Sequence, residues 1–271
     1  MKVFKGFLLS LIFIIYSYGA DSIILAVLSS GNPVDEYRKF KALSNYLSNV
    51  LDREVQLKIV GKYTQLLDLY EEQHIDISIS CPVVFYKIKE KHNVEATAVV
   101  KIDGMILEAG VIVVRKDSDI KDVNDLRDKK VTLGSSICAS NCIMPLYILS
   151  KEGITYRDIP DMWSSGSDKA AILAVISGLA DAAGVKEESA LLFIDRIRII
   201  AKSPYVPRLV VAVSKDIPED LRVRIKKALY DLNDEKTLKR LGIDGFEKPE
   251  KRMFELIKDY EDILSQYPLL Q

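Results

Sequence analysis

Short apolar runs alternate along this chain with stretches whose apolar residues recur every three or four positions. Ser22-Ile23-Ile24-Leu25-Ala26-Val27-Leu28 is a continuous run of strand length, the mark of a strand buried on both faces. Ser29-Ser30-Gly31-Asn32-Pro33 breaks it, and Tyr37, Phe40, Leu43, Leu47 and Leu51 then keep helical spacing. Val55 to Val60 alternates as a strand does, Tyr63 to Gln73 reads as a helix, and Ile75 to Ile79 as a strand. The order β-α-β-α-β predicts a parallel sheet with helices on both faces.

Two later segments share a shape. Gly110-Val111-Ile112-Val113-Val114 runs into the charged turn Arg115-Lys116-Asp117-Ser118, and Leu209 to Val213 runs into Ser214-Lys215-Asp216-Ile217. Between them the alternation resumes, with a strand at Lys130 to Leu133, a helix from about Ile143, a helix from Ala170 to Ser177 and a strand at Asp181 to Val185. After Ile217 the chain is helical and amphipathic, with Pro218 at an expected helix start. The reading is α/β with two lobes, each a mostly parallel sheet, joined by two parallel hinge strands. Residues 21–110 with 211–271 form the first lobe and 111–210 the second.

The first twenty residues add a destination. Lys2 and Lys5 precede the apolar run Phe7 to Tyr16, followed by the small residues Ser17, Gly19 and Ala20. This is the order of a cleaved secretory leader, and the run is shorter than the roughly 20 residues a membrane span needs. Cleavage is expected after Gly19 or Ala20. With no cysteine directly after the run, the mature protein is expected to be free in the periplasm, and monomeric. The formal net charge is −1, or −3 once Lys2 and Lys5 are removed, which gives no broad basic face for a nucleic-acid backbone. No cofactor and no metal site are indicated.

In open parallel sheets ligands bind beyond the carboxyl ends of strands, where the following helices present unpaired N–H groups. Five polar segments fall there: Ser29 to Asn32; Tyr63-Thr64, with Thr64 as a helix cap; Ser78 to Pro82; Gly134 to Asn141; and Ser164 to Asp168. Each is also what an ordinary helix cap looks like. From them the candidate ligand residues are Ser30, Tyr63, Ser80, Cys81, Ser136, Cys138, Ser140, Asn141, Ser167 and Asp168.

The chain resembles the phosphonate-, phosphite- and phosphate-binding proteins of ABC importers from about Ile24 to Leu264. The likeness is carried by Lys62-Tyr63, Asp76 to Pro82, Lys116-Asp117-Ser118 with Val123 to Leu126, Lys129 to Thr132, Gly166 to Ala171 with Gly178 to Ala183, and Ser203 to Pro207 with Lys215 to Pro218. The resemblance implies a type 2 periplasmic-binding fold, an oxyanion held at second-lobe helix starts, Tyr63 helping to close the pocket, and a membrane permease as partner. The chain departs from the family pattern in two places. Cys138-Ala139-Ser140-Asn141 stands where the family usually has Ser-Thr-Ser-Gly, and Asp168 stands in place of a histidine.

An enzyme needs a nucleophile and a base. The two histidines, His74 and His92, lie in polar contexts away from the predicted cleft, so no Cys–His pair is supported. A binding protein that signals to a membrane histidine kinase uses the same lobes, and the sequence does not separate it from an importer component. Three cysteines leave at least one unpaired. Either Cys138 and Cys142 form a disulfide beside a packed Cys81, or the thiols face a thiophilic ligand such as arsenite.

Overall fold

The computed structural model describes residues 22–29, 32–72, 75–258 and 260–268. The expected leader, residues 1–20, and Ser30 lie outside them. The first lobe opens with β1 (Ile23–Leu28), α1 (Pro33–Leu51), β2 (Val55–Val60), α2 (Tyr63–Glu72), β3 (Ile77–Ser80), α3 (Pro82–Lys91) and β4 (Val94–Lys101). The second carries β5 (Leu107–Arg115), β6 (Lys130–Leu133), α4 (Met144–Lys151), β7 (Asp161–Ser164), α5 (Asp168–Ser177), β8 (Ala182–Lys186), α6 (Glu187–Leu191) and β9 (Ile197–Pro207). The chain returns through β10 (Val210–Ser214), α7 (Glu219–Tyr230), α8 (Glu235–Leu241) and β11 (Gly245–Glu247), then ends in a 3₁₀ turn over Lys251–Ile257 and α9 (Tyr260–Ser265).

The strands order as β11-β4-β10-β3-β1-β2 in one sheet and β7-β6-β8-β5-β9 in the other. Both sheets are mixed rather than mostly parallel. β2, β1 and β3 run parallel, as do β7, β6 and β8, but β10 pairs antiparallel with β3 and β4, and β5 antiparallel with β8 and β9. The physical reason is the chain's two passages between lobes: a strand that arrives from the other sheet enters from the opposite end. The segments expected as a parallel hinge pair therefore sit apart, Gly110–Val114 inside the second sheet and Val210–Val213 inside the first. The passages themselves are the stretch after Lys101 and the pair Arg208-Leu209.

Helical spacing in α1 does what the sequence predicts. Phe40, Leu43, Leu47 and Leu51 are buried in a cluster with Ile23, Leu25 and Val27 of β1 and with Leu221, Ile225 and Leu229 of α7. Each such side chain contributes roughly 1.5–3 kcal/mol by leaving water. Asn32 caps α1, its side chain accepting from the Val34 and Asp35 amides. The opposite face of the sheet belongs to a cluster that runs through both lobes, from Val83, Phe85 and Ile88 of α3 to Leu133, Ile143 and Leu146. The two lobes are thus packed together.

The C-terminal segment lies on both. Phe254 packs its ring against Phe85 and Tyr86 of α3, and Lys87 pairs with Glu261 at 3.8 Å. On the other side the Tyr267 hydroxyl donates to the Ile154 carbonyl at 2.5 Å, and the Tyr156 amide to the Gln266 carbonyl. α9 therefore straps α3 to the second lobe.

Candidate functional site

A cleft of about 640 Å³ lies between the lobes, bounded by Leu28, Ser29, Lys62 to Thr64, Cys81 and Pro82 on one side and by Ser135 to Cys138, Asn141, Ser164 and Gly166 on the other. Tyr63, Cys81, Ser136, Cys138 and Asn141, named from sequence, line it together. Ser80, Ser140, Ser167 and Asp168 do not.

Their side chains have other partners or directions. Ser167 caps α5, accepting from the Ala170 amide at 3.2 Å. Asp168 is turned into its lobe, where Oδ1 accepts from the Asn141 amide nitrogen at 2.7 Å and Oδ2 from the Ser189 hydroxyl at 2.8 Å. Ser140 donates to Glu108 Oε1 at 2.5 Å. Ser80 is wholly buried behind the cleft wall, its hydroxyl without a hydrogen-bond partner among the described residues. Thr64 is not the cap of α2; the Gln65 side chain instead accepts from the Gly61 and Lys62 amides.

The second-lobe wall is built by a tight local arrangement. Ser135 Oγ accepts from the Cys138 amide at 2.8 Å and the Ile137 amide at 3.3 Å, which folds the loop back on itself. Cys138 then precedes a π-helical turn, Ala139–Ile143, and its carbonyl receives both the Cys142 and Ile143 amides. Close approach to the sheet requires glycine beneath this turn. A Cβ on Gly134 would lie 2.1 Å from Asp168 Oδ1, and one on Gly110 would lie 2.1 Å from the Ser140 carbonyl.

Three charged residues absent from the sequence-derived set form an ion-pair cluster in the cleft wall. Glu108 of β5, Lys186 at the end of β8 and Arg208 between β9 and β10 all line it. Glu108 Oε2 is 3.4 Å from both Lys186 Nζ and Arg208 Nη1, and Arg208 also reaches Glu188 at 2.7 Å. Burial alone would lower the Lys186 pKa, but Glu108, Asp168, Cys138 and Glu188 outweigh it and hold the ammonium charged. Among the described lining residues four cations, Lys39, Lys62, Lys186 and Arg208, face two carboxylates, Glu36 and Glu108. Lys186 was findable, since it ends a strand as the other candidates do. Arg208 had a weaker sign, one charge inside Val206-Pro207-Arg208-Leu209-Val210.

All three cysteines are thiols. Cys142 points into the core of its lobe, where burial pushes its thiol pKa up. Cys81 and Cys138 face the cleft from opposite lobes and pack in one apolar cluster, near enough for each thiol to shift the other's pKa. The Cys81 thiol, Lys186 and Ser135 lower the Cys138 pKa despite burial, while the Cys81 thiol is pushed well up. His92 stacks near Tyr70, centroids 4.9 Å apart, and is not a cleft residue.

Residues 25–254 match the family of periplasmic substrate-binding proteins of phosphonate ABC transporters. The chain belongs to this family. The match spans both lobes, and the members are binding components of transporters rather than enzymes. The fold of this substrate-binding protein recurs in solved structures of low identity. PhnD1 from Prochlorococcus marinus, in complex with methylphosphonate, is 19% identical over 90% of this chain and 98% of its own, with a TM-score of 0.78. A Xanthomonas citri protein bound to ATP is 18% identical, covering 91% and 99%, at 0.80. A binding component of an ABC phosphonate transporter from Pseudomonas aeruginosa is 15% identical, covering 92% and 89%, at 0.75. The aliphatic sulphonate binding protein SsuA from Escherichia coli is more distant, at 0.57. Family membership places the substrate-binding protein in the periplasm beside an ABC permease. No helix among its described residues is long and apolar enough to cross a membrane.

Proposed function

We propose that this protein captures a small phosphonate-class oxyanion, in its singly protonated form, between the lobes and presents it to the permease as a monomer released from its leader. The observation that carries the reading is the pairing of a net cationic cleft with one orphaned acceptor. Asn141 Nδ2 is committed to Asp168, and Asn141 Oδ1 is buried without a hydrogen-bond partner among the described residues. An unmet buried acceptor costs about 1–3 kcal/mol and calls for a donor. A phosphonate monoanion brings both features, anionic oxygens for Lys62 and the Ser135 and Ser136 hydroxyls and a P–OH for Asn141. With Lys186 and Arg208 already sharing Glu108, the cleft has less free positive charge than a dianion needs, which favours the monoanion.

Calorimetry with methylphosphonate, phosphite, phosphate and methanesulfonate tests the reading. Methylphosphonate and phosphite are expected to bind more tightly than methanesulfonate, which is anionic but has no O–H to give. Equal affinities for methylphosphonate and methanesulfonate would remove Asn141 from ligand reading, and no heat with any of the four would remove the oxyanion.

A further inference from the structure

We propose that Cys81 and Cys138 are an oxidisable pair whose disulfide staples the two lobes across the ligand cleft. Cys81 lies in the first lobe, at the start of α3, and Cys138 in the second, at the start of the π-helical turn. Both line the cleft, and they pack into one apolar cluster that joins the lobes, near enough for each thiol to shift the other's pKa. A bridge requires the two Cα atoms within about 7 Å, a separation only a shut cleft can offer to residues of opposite lobes. Parting the lobes would part the thiols. The pair is therefore bridgeable only when the cleft is shut, and the bridge would keep it shut.

The two thiols are unequal in the way such a reaction needs. Cys138 is partly exposed in the cleft and its thiolate is favoured by Lys186, Ser135 and the Cys81 thiol, whereas Cys81 is buried and held protonated. In the first step the Cys138 thiolate attacks a disulfide oxidant, such as oxidised glutathione or an oxidoreductase of the exported compartment. A Cys138–glutathione S–S bond forms and one glutathione thiolate leaves. In the second step Cys81 loses its proton to water and attacks Cys138 Sγ, displacing the second glutathione thiolate. Two protein thiols lose two electrons and two protons, and the oxidant's disulfide becomes two thiols. Cys142 is a poor competitor, being wholly buried in the core of its own lobe with a raised pKa.

The inference rests on the interlobe cleft but needs no ligand for its first readout. Reduced full-length mature protein is treated with oxidised glutathione, and peptides are mapped by mass spectrometry without reduction. A Cys81–Cys138 linked peptide is expected, in wild type and equally in Cys142→Ala. Small-angle scattering of the oxidised protein should be that of the compact form with or without methylphosphonate, and dithiothreitol should restore any ligand-dependent change. Release of bound methylphosphonate should slow at least about tenfold on oxidation, because ligand exit requires lobe opening. A Cys138–Cys142 link, or glutathione retained on Cys138 with Cys81 free, would overturn the proposal. So would a Cys81–Cys138 bridge that leaves scattering and release unchanged. Failure to bind methylphosphonate, with the bridge formed and the compact form fixed, would count against the ligand reading alone.

Discussion

The Arg208 guanidinium lies 3.4 Å from the Glu108 carboxylate at the edge of the ligand cleft, and their side chains are only 4% and 10% exposed. Two charges taken this far from water are stable because each has further partners: Glu188 for Arg208, and Lys186 and the Ser140 hydroxyl for Glu108. The pair is also the internal competitor of any anion that enters.

Replacing Glu108 by Gln should therefore move stability and affinity in opposite directions. Losing one partner of a buried pair costs about 3–5 kcal/mol when the other is stranded. Here Glu188 still holds Arg208, so a loss of roughly 2 kcal/mol is expected, read as a lower urea midpoint at unchanged slope. Methylphosphonate should bind about tenfold more tightly, or 1.4 kcal/mol. That is well below the ~4 kcal/mol of adjacent unit charges at an effective dielectric of 20. Weaker binding in Glu108→Gln would show that the carboxylate reads the ligand instead of opposing it.

Tyr63 and Tyr230 offer a matched comparison. Tyr63 opens α2 and lines the cleft, whereas Tyr230 ends α7 and donates to the Thr97 carbonyl at 2.7 Å, remote from it. Tyr63→Ala is expected to raise the dissociation constant about tenfold. Tyr230→Ala should leave it within about twofold and lower stability by the ~1 kcal/mol of a lost hydrogen bond, plus packing. Calorimetry and thermal unfolding on both variants decide it.

Gly134 holds the second-lobe wall by having no side chain. Gly134→Ala would set a methyl 2.1 Å from Asp168 Oδ1, on the carboxylate that fixes Asn141. Overpacking of this kind costs about 1–3 kcal/mol. Because the strain falls on Asn141, affinity for methylphosphonate should drop with stability. Unchanged affinity in the Gly134→Ala variant would separate Asn141 from the ligand.

Acid lability should report on Asp158. The Thr155 amide, its hydroxyl and Arg127 hold this carboxyl below its ordinary value of 3.8. A depressed folded pKa contributes stability that is present above the unfolded value and lost as pH falls through the folded one. The stability of wild type should thus decline below about pH 4, and Asp158→Asn should flatten that slope. Urea midpoints from pH 5 to pH 2 measure both.

The elements were most legible where one rule governed them. Period-four spacing from Phe40 to Leu51 gave α1, and uninterrupted apolar residues gave β1 and β10, because burial alone decides those positions. Strand direction was not legible, since it depends on where the chain crosses between lobes rather than on any local pattern. The site split along the same line. Tyr63, Cys81, Ser136, Cys138 and Asn141 follow from strand ends and helix starts, a local property. Whether Asp168 faces the cleft or Asn141 and Ser189 is settled by tertiary partners 21 and 27 residues away, which no spacing announces. Glu108 escaped because it lies within β5, where alternation gives no hint of an ion pair to Arg208.

Two peptide crossings would by themselves leave the lobes one easy rotation, like a door on a pair of pins. The strap formed by Phe254, Tyr260 and Tyr267 fastens the door again, away from the pins, and its grip on the Ile154 carbonyl must slacken before the opening widens. The resting angle of the cleft is then set by the tail of the chain as much as by anything that touches ligand.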